Sequence, residues 1–569
     1  METERLQTDV LVIGAGAAGC RAALKAHVRG ARVILVAKGR LGYSGSTFYP
    51  GTMGIGYASA LSDDLAAAPG HVGPEIHYRE IMAAGPGMAS PTLARILAEE
   101  APPRLVDLLE RHQMAFQQQD GQVLFLQPDF ESGVVRAGAA TIAAIRQAFM
   151  SEIRARGVPV LERTAIARLL GDRGRCIGAV GVNGTSQVIV ISAKATVIAT
   201  GGGSTAFLHH MNTPDLTFDG HGMALSLGAQ LVNMEFYQMI LGLTAPVKRL
   251  LIPETYPALL PRLTNGVGEA FLDRYLPPGV TLAECLMTRA GTGPFRSDAA
   301  AKYFDLAMFD EIRQGRGTPS GGVCADFTGC EPDRVRATGR LDWYEWARAR
   351  GVDLLARPVD LSPHVHAING GVLINPQAET SVPNLFACGE AAGGPHGANR
   401  IGGNQFAGSQ VFGARAGRFA AERAEALPQP LLPADEVAEV RHRLAELRGR
   451  SAGRSPADVM HALQTTMWNE MGVHKDAASL RRCLEMLAAL AGDLSEMHAP
   501  DPRRLFLALS LPNLLTTAQV IAQTASMRQE SRGPHYRTDF PTRNDERYGQ
   551  PILARLEGDG LACQLGVLT

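Results

Sequence analysis

Apolar and polar positions follow the order strand, helix, strand at the start of the chain. The short, mainly apolar runs Asp9–Ile13 and Ala31–Lys38 predict buried strands. Between them, Ala17–Val28 has a helical period. Strand-like runs return between Pro159 and Val197 and end in three glycines. This order predicts a βαβ unit with a parallel sheet.

The helical period also returns in later segments. We predict two helices before residue 160, at Ser90–Arg111 and Ala137–Arg156. Four more follow residue 433, at Glu436–Arg448, Pro456–Met471, Ala477–Leu490 and Leu505–Gln529. The glycine-rich segment Gly39–Gly56 has no period and predicts a loop, and the tail Ser531–Thr569 is polar and irregular.

The composition and the periodic pattern of the sequence change in the middle of the chain. From about Glu235 to Arg357 prolines and mixed aromatic residues interrupt the pattern, which indicates an inserted domain. Glycine-rich sequence then returns at Asn369–Gly417, so the chain re-enters the first domain before the final helices.

Composition changes this picture at one point. The 55 Lys and Arg residues balance 56 Asp and Glu residues, and the net charge of −1 excludes a general attraction to nucleic acid or an anionic membrane. Glycine is unusual, with 62 of 569 residues, against an average of about 7%. Such a surplus indicates tight turns and close approach of backbone to something.

Cysteines and apolar runs exclude other classes. The eight cysteines form no C-x-x-C pair and no spacing typical of zinc or iron–sulfur sites, so we expect buried reduced thiols and no metal. The apolar run Val10–Ile13 is too short for a signal peptide. We identify no 18-residue apolar stretch and expect no membrane span, which favours a cytoplasmic location.

The glycines of the first turn carry a recognisable motif. Gly14, Gly16 and Gly19 form G-x-G-x-x-G directly after a predicted strand and at the start of a predicted helix. This is the context of a dinucleotide site, in which the helix N-terminus faces the pyrophosphate. The acid that usually ends the second strand is replaced by Ala37-Lys38, so the adenosine contacts must differ from the commonest pattern.

Further glycine blocks indicate a longer cofactor. They are ATGGGS at Ala199–Ser204, FDGHGMA at Phe218–Ala224 and the dense block ACGEAAGGPHGANRIGGNQFAG at Ala387–Gly408. With GAGAAG, HAINGGV and ESRGPHYRTDFPTRNDERY, these blocks resemble the succinate dehydrogenase/fumarate reductase flavoprotein family, which includes L-aspartate oxidase. The resemblance covers nearly the whole chain.

The resemblance implies an α/β fold with three parts. These are a Rossmann-type FAD-binding domain at 1–234 and 358–430, an inserted α+β capping domain at 235–357, and a C-terminal helical domain at 431–535, followed by a tail at 536–569. It also implies FAD-binding residues, which are Gly14, Gly16, Ala17, Ala18, Gly19, Lys38, Ser44, Ser46, Thr47, Gly54, Ala199, Gly201, Asp219, Glu390, Asn404, Gln405 and Phe406. Membrane-complex members of the family attach FAD to a histidine, but the corresponding stretch YSGSTFYPGTMGIG has none, so we expect non-covalent FAD.

Several catalytic positions of the family are filled. Arg400 resembles the arginine that holds a substrate carboxylate, and His366 resembles the substrate-binding histidine, with His364 as a competitor. Glu254 aligns with the glutamate of the proton relay. Phe116 resembles an aromatic residue near the substrate, although an aromatic residue in an apolar setting is more often part of the core.

Other catalytic positions depart from the family. The second substrate histidine falls in Met239–Gly242, at Ile240, and the relay arginine falls at Pro257. The catalytic arginine falls at Cys285, while Arg289, one helical turn on, matches a second family arginine. A cysteine cannot replace a guanidinium. The pocket should therefore bind a second carboxylate poorly, and we expect succinate and fumarate to be poor substrates.

Three interpretations remain open. The first is an FAD-dependent dehydrogenase or oxidase that desaturates a small carboxylate or oxidises an amino-acid-like substrate, with Arg400, His366, Glu254 and Arg289 at the site. The second is a flavin-bearing electron-transfer or binding subunit with a degenerate site and an electron-acceptor protein as partner. A third, weaker one is chemistry like that of adenylylsulfate reductase.

Overall fold

The N-terminal part follows the predicted order of strand, helix and strand. The computed structural model describes residues 2–60, 73–126, 135–558 and 560–568. It begins with β1 (Thr3–Ile13), α1 (Ala17–Val28) and β2 (Val33–Val36). The apolar end of β1, from Val10 to Ile13, is at most 4% exposed, as expected for a strand buried in a parallel sheet.

The rest of this part continues with strands and helices up to residue 234. Its elements are β3 (Gly54–Ser59), α2 (Pro74–Ala84), α3 (Pro91–Val106), β4 (Gln118–Gln119), β5 (Gln122–Val123), β6 (Phe125–Leu126), β7 (Arg136–Thr141), α4 (Ile142–Ala155), β8 (Val160–Leu161), β9 (Thr164–Asp172), β10 (Arg175–Asn183), β11 (Val188–Ile198), α5 (Asp219–Ser226) and β12 (Leu231–Val232). The helix predicted to begin at Ala137 begins at Ile142, because Thr141 caps it and the residues before Thr141 pair with β3.

The middle of the chain has its own sheet and its own core. Its elements are β13 (Tyr237–Ala245), β14 (Arg262–Thr264), α6 (Leu282–Thr292), α7 (Lys302–Glu311), β15 (Val323–Asp326), α8 (Pro332–Ala337), α9 (Leu341–Arg348) and β16 (Val359–Ile368). The strands form an antiparallel sheet in the order β13-β16-β15-β14. A second hydrophobic cluster, from Leu241 to Leu361, packs among these elements.

The chain then returns to the first core and ends in helices and a hairpin. The returning elements are β17 (Gly371–Leu373), β18 (Leu385–Ala387), β19 (Ala392–Gly393) and α10 (Asn404–Glu425). The C-terminal elements are α11 (Ala434–Gly449), α12 (Pro456–Met471), α13 (Ala477–Ser495), α14 (Pro502–Met527), α15 (Asp545–Tyr548), β20 (Ile552–Glu557) and β21 (Gly560–Leu565).

The main sheet places the cofactor turn at its centre. Its order is β8-β2-β1-β11-β10-β9, and β18 adds to β11. The pairs of β1 with β2, β1 with β11 and β11 with β18 are all parallel. The loops that follow β1, β11 and β18 therefore meet at one edge of the sheet, which is where ligands bind in open α/β sheets.

Two expectations at the C-terminus were wrong. The tail is not irregular throughout, because β20 and β21 form a hairpin and β20 pairs with β12. An apolar stretch of 18 residues also exists: α14 has a window of mean hydropathy 1.6, long and apolar enough to cross a membrane. That window is 72% buried inside the protein, as in the core helix of a bundle.

Candidate flavin and substrate site

One cavity of about 370 Å³ lies at the carboxyl edge of the main sheet and extends to the inserted part. It gathers loops that are hundreds of residues apart in the sequence. Its lining includes most of the predicted cofactor residues, namely Gly14, Gly16, Ala17, Ala18, Lys38, Ser44, Ser46, Thr47, Gly54, Ala199, Gly201, Asp219, Glu390, Gln405 and Phe406.

Two predicted cofactor residues lie behind this lining. A Cβ at Gly19 would stand 1.7 Å from the carbonyl oxygen of Gly14, so Gly19 lets α1 pack on the turn and contributes no cavity surface. Asn404 is buried, and its Oδ1 lies 2.8 Å from Nε2 of His77. Both residues support the wall of the cavity from outside.

The first turn has the geometry that a pyrophosphate requires. Gly14 has φ +109°, and a Cβ there would lie 2.2 Å from the carbonyl oxygen of Ala199. Gly16 is the N-cap of α1 and has no side chain to satisfy the first N–H groups. The N–H of Ala17 donates to Oγ1 of Thr47 over 3.1 Å. The turn therefore presents a helix N-terminus to the cavity, as anion sites do.

Lys38 and Asp219 form one group rather than two separate contacts. Nζ of Lys38 donates to Asp219 Oδ2 at 2.9 Å, to Thr217 Oγ1 at 2.7 Å and to Ser510 Oγ at 2.6 Å. Sequence reasoning missed Thr217 and Ser510. Ser510 belongs to α14, and no local pattern connects that helix with β2.

Glu390 lies on the short turn after β18. Its Oε1 accepts the backbone N–H of Ile368 at 3.0 Å, and burial raises the pKa of its carboxyl. A Cβ at Gly202 would lie 2.5 Å from the same oxygen, so the glycine there makes room for the carboxylate. A half-buried carboxylate acceptor of this kind suits the hydroxyl groups of a ribityl chain.

Polar atoms along the cavity also fit FAD. Ser46 Oγ, Thr200 Oγ1 and Gln405 Oε1 are buried and make no hydrogen bond to any residue that the structure describes. All three residues line the cavity. Because buried polar groups normally have partners, these atoms suit a long ligand with alternating apolar and polar parts.

Arg400 and His366 both line this cavity. Burial lowers the pKa of Arg400 to about 10, and the Glu390 carboxylate opposes that shift, so Arg400 remains a cation. Burial and the Arg400 cation lower the pKa of His366 to about 3, so its imidazole is neutral. His364 turns elsewhere: its Nδ1 lies 2.9 Å from the carbonyl oxygen of Ser362, and the residue does not line the cavity.

Glu254 also lines the cavity and has a buried charged partner. Its Oε1 accepts the N–H of Leu241 at 2.9 Å, and its Oε2 accepts Nη1 of Arg289. Arg289, predicted as catalytic, does not line the cavity but supports Glu254 from behind. Nε of Arg289 donates to Oδ2 of Asp305 at 2.7 Å, a contact that the sequence did not predict.

The positions that depart from the family lie outside the cavity lining. Cys285 is fully buried in the second core, and burial raises the pKa of its thiol to about 11. Ile240 is buried against Tyr49, Met211 and Leu251, and these three line the cavity. The wall at this point is therefore apolar.

Two further expectations concern residues of the inserted part and the first domain. Pro257 is buried in a short 3-10 turn, Tyr256–Leu259, and does not line the cavity. Phe116 is buried beside Ala140 and likewise belongs to the core. Conversely, Trp343 of α9 lines the cavity although no motif marked it.

Comparison with known proteins identifies the family of the chain. The model of an FAD binding domain matches residues 9–406, and that of the fumarate reductase flavoprotein C-terminus matches residues 460–566. The first match alone covers more than half of the chain. The chain belongs to the succinate dehydrogenase/fumarate reductase flavoprotein family, which includes L-aspartate oxidase. It is therefore an FAD-dependent oxidoreductase with FAD as cofactor, and when bound FAD supplies hydride transfer.

Relatives in the family differ in activity. The chain is 33% identical to a subunit of the fumarate reductase (CoM/CoB) of Methanothermobacter marburgensis, over 98% of both chains. It is 28% identical to L-aspartate oxidase of Streptomyces coelicolor, over 97% of this chain and 92% of that one. The structure of Mycobacterium smegmatis Sdh1 in complex with UQ1 superposes with a TM-score of 0.84 at 28% identity, over 99% of this chain and 94% of that one.

Proposed function

We propose that this flavoprotein oxidises a small substrate with one carboxylate, by desaturation or by amine oxidation of an amino-acid-like molecule. The observation that carries the proposal is the composition of one cavity. Arg400, His366 and Glu254 are polar or charged residues of its lining, and Tyr49, Met211 and Leu251 form an apolar cluster in the same lining.

The polar residues have distinct tasks in this proposal. The Arg400 guanidinium binds the carboxylate, since its fork matches two oxygens. The neutral His366 orients the substrate, and Asn212 donates to the carbonyl oxygen of His366 at 2.8 Å, which fixes the strand that carries it. Glu254 exchanges the proton. A dicarboxylate that placed its second charge against the apolar cluster would leave that charge without a partner there, at a cost of several kcal/mol.

The second interpretation is a subunit that only transfers electrons to a partner. The absence of an arginine at Cys285 favours it, whereas the shared cavity of Arg400, His366 and Glu254 speaks against it. In either case we propose oxygen, a diffusible carrier or an electron-acceptor protein as the acceptor. A cytoplasmic location stays part of the proposal, supported by eight cysteines that are all free in the part of the chain that the structure describes.

Anaerobic bleaching of the bound flavin tests the proposal. A library of amino acids, monocarboxylates and succinate is mixed with the FAD-loaded protein, and flavin absorbance is followed. We expect a monocarboxylate or amino acid to bleach the flavin at least ~100-fold faster than succinate does, because of the unpaired second carboxylate. Equal or faster bleaching by succinate, or reoxidation of reduced flavin by fumarate at a comparable rate, would overturn the substrate class.

Variants tie the bleaching to the site. Arg400→Lys should slow it at least ~100-fold because a point charge replaces a bidentate fork. Arg418→Lys is the matched control, since Arg418 lies on α10 at the surface and pairs with Glu422. If no compound bleaches the flavin while a reduced partner protein does so in both variants, the electron-transfer interpretation holds instead.

A further inference from the structure

A buried group of three charges stands behind the substrate wall. It consists of Glu254, Arg289 of α6 and Asp305 of α7, and all three side chains are at most 2% exposed. Only Glu254 lines the cavity. Any proton that passes between this triad and a substrate must therefore pass through Glu254.

The two carboxylates share Arg289 unequally. Asp305 takes two contacts, from Nε at 2.7 Å and from Nη2 at 3.3 Å. Glu254 receives one guanidinium contact, from Nη1, and a backbone N–H from Leu241 at 2.9 Å. A bidentate ion pair is stronger than a single contact, so Arg289 pairs more strongly with Asp305 than with Glu254.

The charge count leaves one carboxylate without a full counter-charge. With both acids ionised, the triad has a net charge of −1 inside the protein, where an uncompensated charge is costly. Burial raises the pKa of both Glu254 and Asp305, with Arg289 opposing the shift in each. The triad can thus hold one proton at low cost, and Glu254 is the acid with the weaker hold on Arg289.

Other charged groups around Glu254 come from different elements. His366 of β16, which is neutral, and Arg400 from the loop before α10 line the same cavity as Glu254. Arg340 and Asp342, at the start of α9, also line the cavity. Among these groups Asp305 is the one that competes directly with Glu254 for the same guanidinium.

We propose that Asp305 is a positioning residue that sets the charge of Glu254: by occupying Arg289 it leaves Glu254 to take up and release the substrate's proton. In desaturation or amine oxidation one substrate C–H bond breaks with its electron pair and leaves as hydride, for which bound FAD would be the acceptor. The adjacent C–H or N–H bond releases a proton, and that proton binds Glu254. The triad then passes from −1 to neutral, and in the reductive direction the proton returns. This inference rests on the proposed function for the identity of the proton's source.

The first test needs no substrate and so separates this inference from the proposed function. The infrared band of the protonated Glu254 carboxyl, assigned with Glu254→Gln, is titrated with pH in the FAD-loaded protein. Asp305→Asn should move the midpoint to lower pH by about one unit or more, since Arg289 then pairs with Glu254 alone. An unchanged or higher midpoint would overturn the proposal, whatever the substrate screen finds.

Controls exclude a merely structural effect. Asp310→Asn removes a carboxylate from the same helix, one whose Oδ1 accepts from His474 Nε2 at 2.7 Å, and it should leave the midpoint unchanged. Once a substrate is known, the kcat/KM limb assigned to Glu254 should move by the same amount in Asp305→Asn. A uniform loss of rate at all pH values, with no movement of that limb, would contradict the proposal.

If Asp305→Asn does not fold, a second variant still tests the proposal. Arg289→Lys keeps a positive charge but cannot contact both carboxylates in the same geometry. Its weaker hold on Glu254 should move the midpoint in the opposite direction, to higher pH. A midpoint that stays in place or falls would overturn the proposal.

Discussion

At the scale of single residues, Lys475 differs from the other buried cations. Its side chain is 1% exposed, and its Nζ has no hydrogen-bond partner among the described residues. The ring of Tyr237, 4.9 Å away, gives partial compensation. Burial and the nearby Arg537 cation lower the pKa of Lys475 from 10.5 to about 7.

Replacement of Lys475 by methionine should stabilise the protein in a pH-dependent way. Because the folded-state pKa lies below the unfolded value, the penalty is fully present below pH 7 and is lost as pH rises toward 10.5. We expect Lys475→Met to raise the free energy of unfolding by at least about 1 kcal/mol at pH 6, with a smaller gain at pH 9.

Thermal unfolding of the two proteins at both pH values measures this effect. Lys194→Met is the control, because Lys194 pairs with Asp9 at 3.0 Å and its loss should bring no gain. A gain from Lys475→Met that is constant with pH would contradict a titrating ammonium.

Two arginines in or just before the motif ESRGPHYR show how buried cations are normally held, namely Arg532 inside it and Arg528 two residues ahead of it. Arg528 donates to Glu235 at 2.6 Å and to Glu530 at 2.8 Å, and Arg532 donates to the same Glu530 at 2.7 Å. The sequence singled out this block, but Glu235, 293 residues away, was not part of it. The motif thus marks a structural junction between the inserted part and the C-terminal segment.

At the scale of elements, the contact of α1 with α10 depends on glycine. A Cβ at Gly417 would lie 2.2 Å from the carbonyl oxygen of Ala22, and one at Gly413 would lie 2.8 Å from that of Ala18. The atoms met are backbone, so they cannot move aside as a flexible side chain would. Both helices also border the cofactor cavity, through Ala18 and Gln405.

Gly417→Ala should therefore destabilise the protein although alanine favours helix. We expect a loss of at least about 2 kcal/mol, since the overpacked helices must separate, together with weaker FAD retention. Gly492→Ala in α13 is the control: no atom lies within 4 Å of its Cβ position, so a gain of about 0.5–1 kcal/mol is expected. Equal thermal stability of the two variants would contradict this account of the interface.

Helices were predicted more accurately than strands. The observed bounds of α1 and α12 equal the predicted ones, because each has a full apolar period and a clear start, with Pro456 at the first turn of α12. The residues of β7 were assigned to a helix, since the alanine-rich run Arg136–Thr141 has helical propensity and pairs with β3 only in the folded chain. Likewise, β20 pairs with β12, a strand more than 300 residues earlier in the chain.

At the scale of the whole molecule, the cofactor site connects separate parts of the chain. Lys38 after β2, Asp219 of α5 and Ser510 of α14 meet in one hydrogen-bonded group on the cavity wall. The stretch that resembles the covalent attachment loop, Tyr43 to Gly56, contains no histidine. FAD should thus be removable. Its removal should destabilise elements beyond the first sheet, including α14.

Acid precipitation tests whether FAD is bound non-covalently, and thermal unfolding and hydrogen exchange test how far the effect of its removal extends. We expect all flavin absorbance in the supernatant, as for non-covalent FAD, and we expect the apoprotein to unfold at a lower temperature than the holoprotein by an amount that grows with free FAD. Hydrogen exchange should show faster exchange in α14 as well as around α1. Flavin that stays with the precipitated protein, or an unchanged melting temperature, would contradict this prediction.

The sequence by itself determined the cofactor and the family. Gly14, Gly16 and Gly19 act through local backbone geometry, and such geometry is encoded within a few residues. The same holds for the order of βαβ unit, insertion and helices, which follows from local periods. Residues Arg400, His366 and Glu254 were found through motifs that surround each of them.

Only the tertiary structure decided which groups share the site. It placed Arg289 behind Glu254, brought Asp305 to the same guanidinium, and put Cys285 in a core rather than in the cavity. It also brought Trp343 and Ser510 to the cavity wall or its support. These relations depend on how helices from distant segments pack and on which charges lose contact with water together, and neither is written in the spacing of residues along the chain.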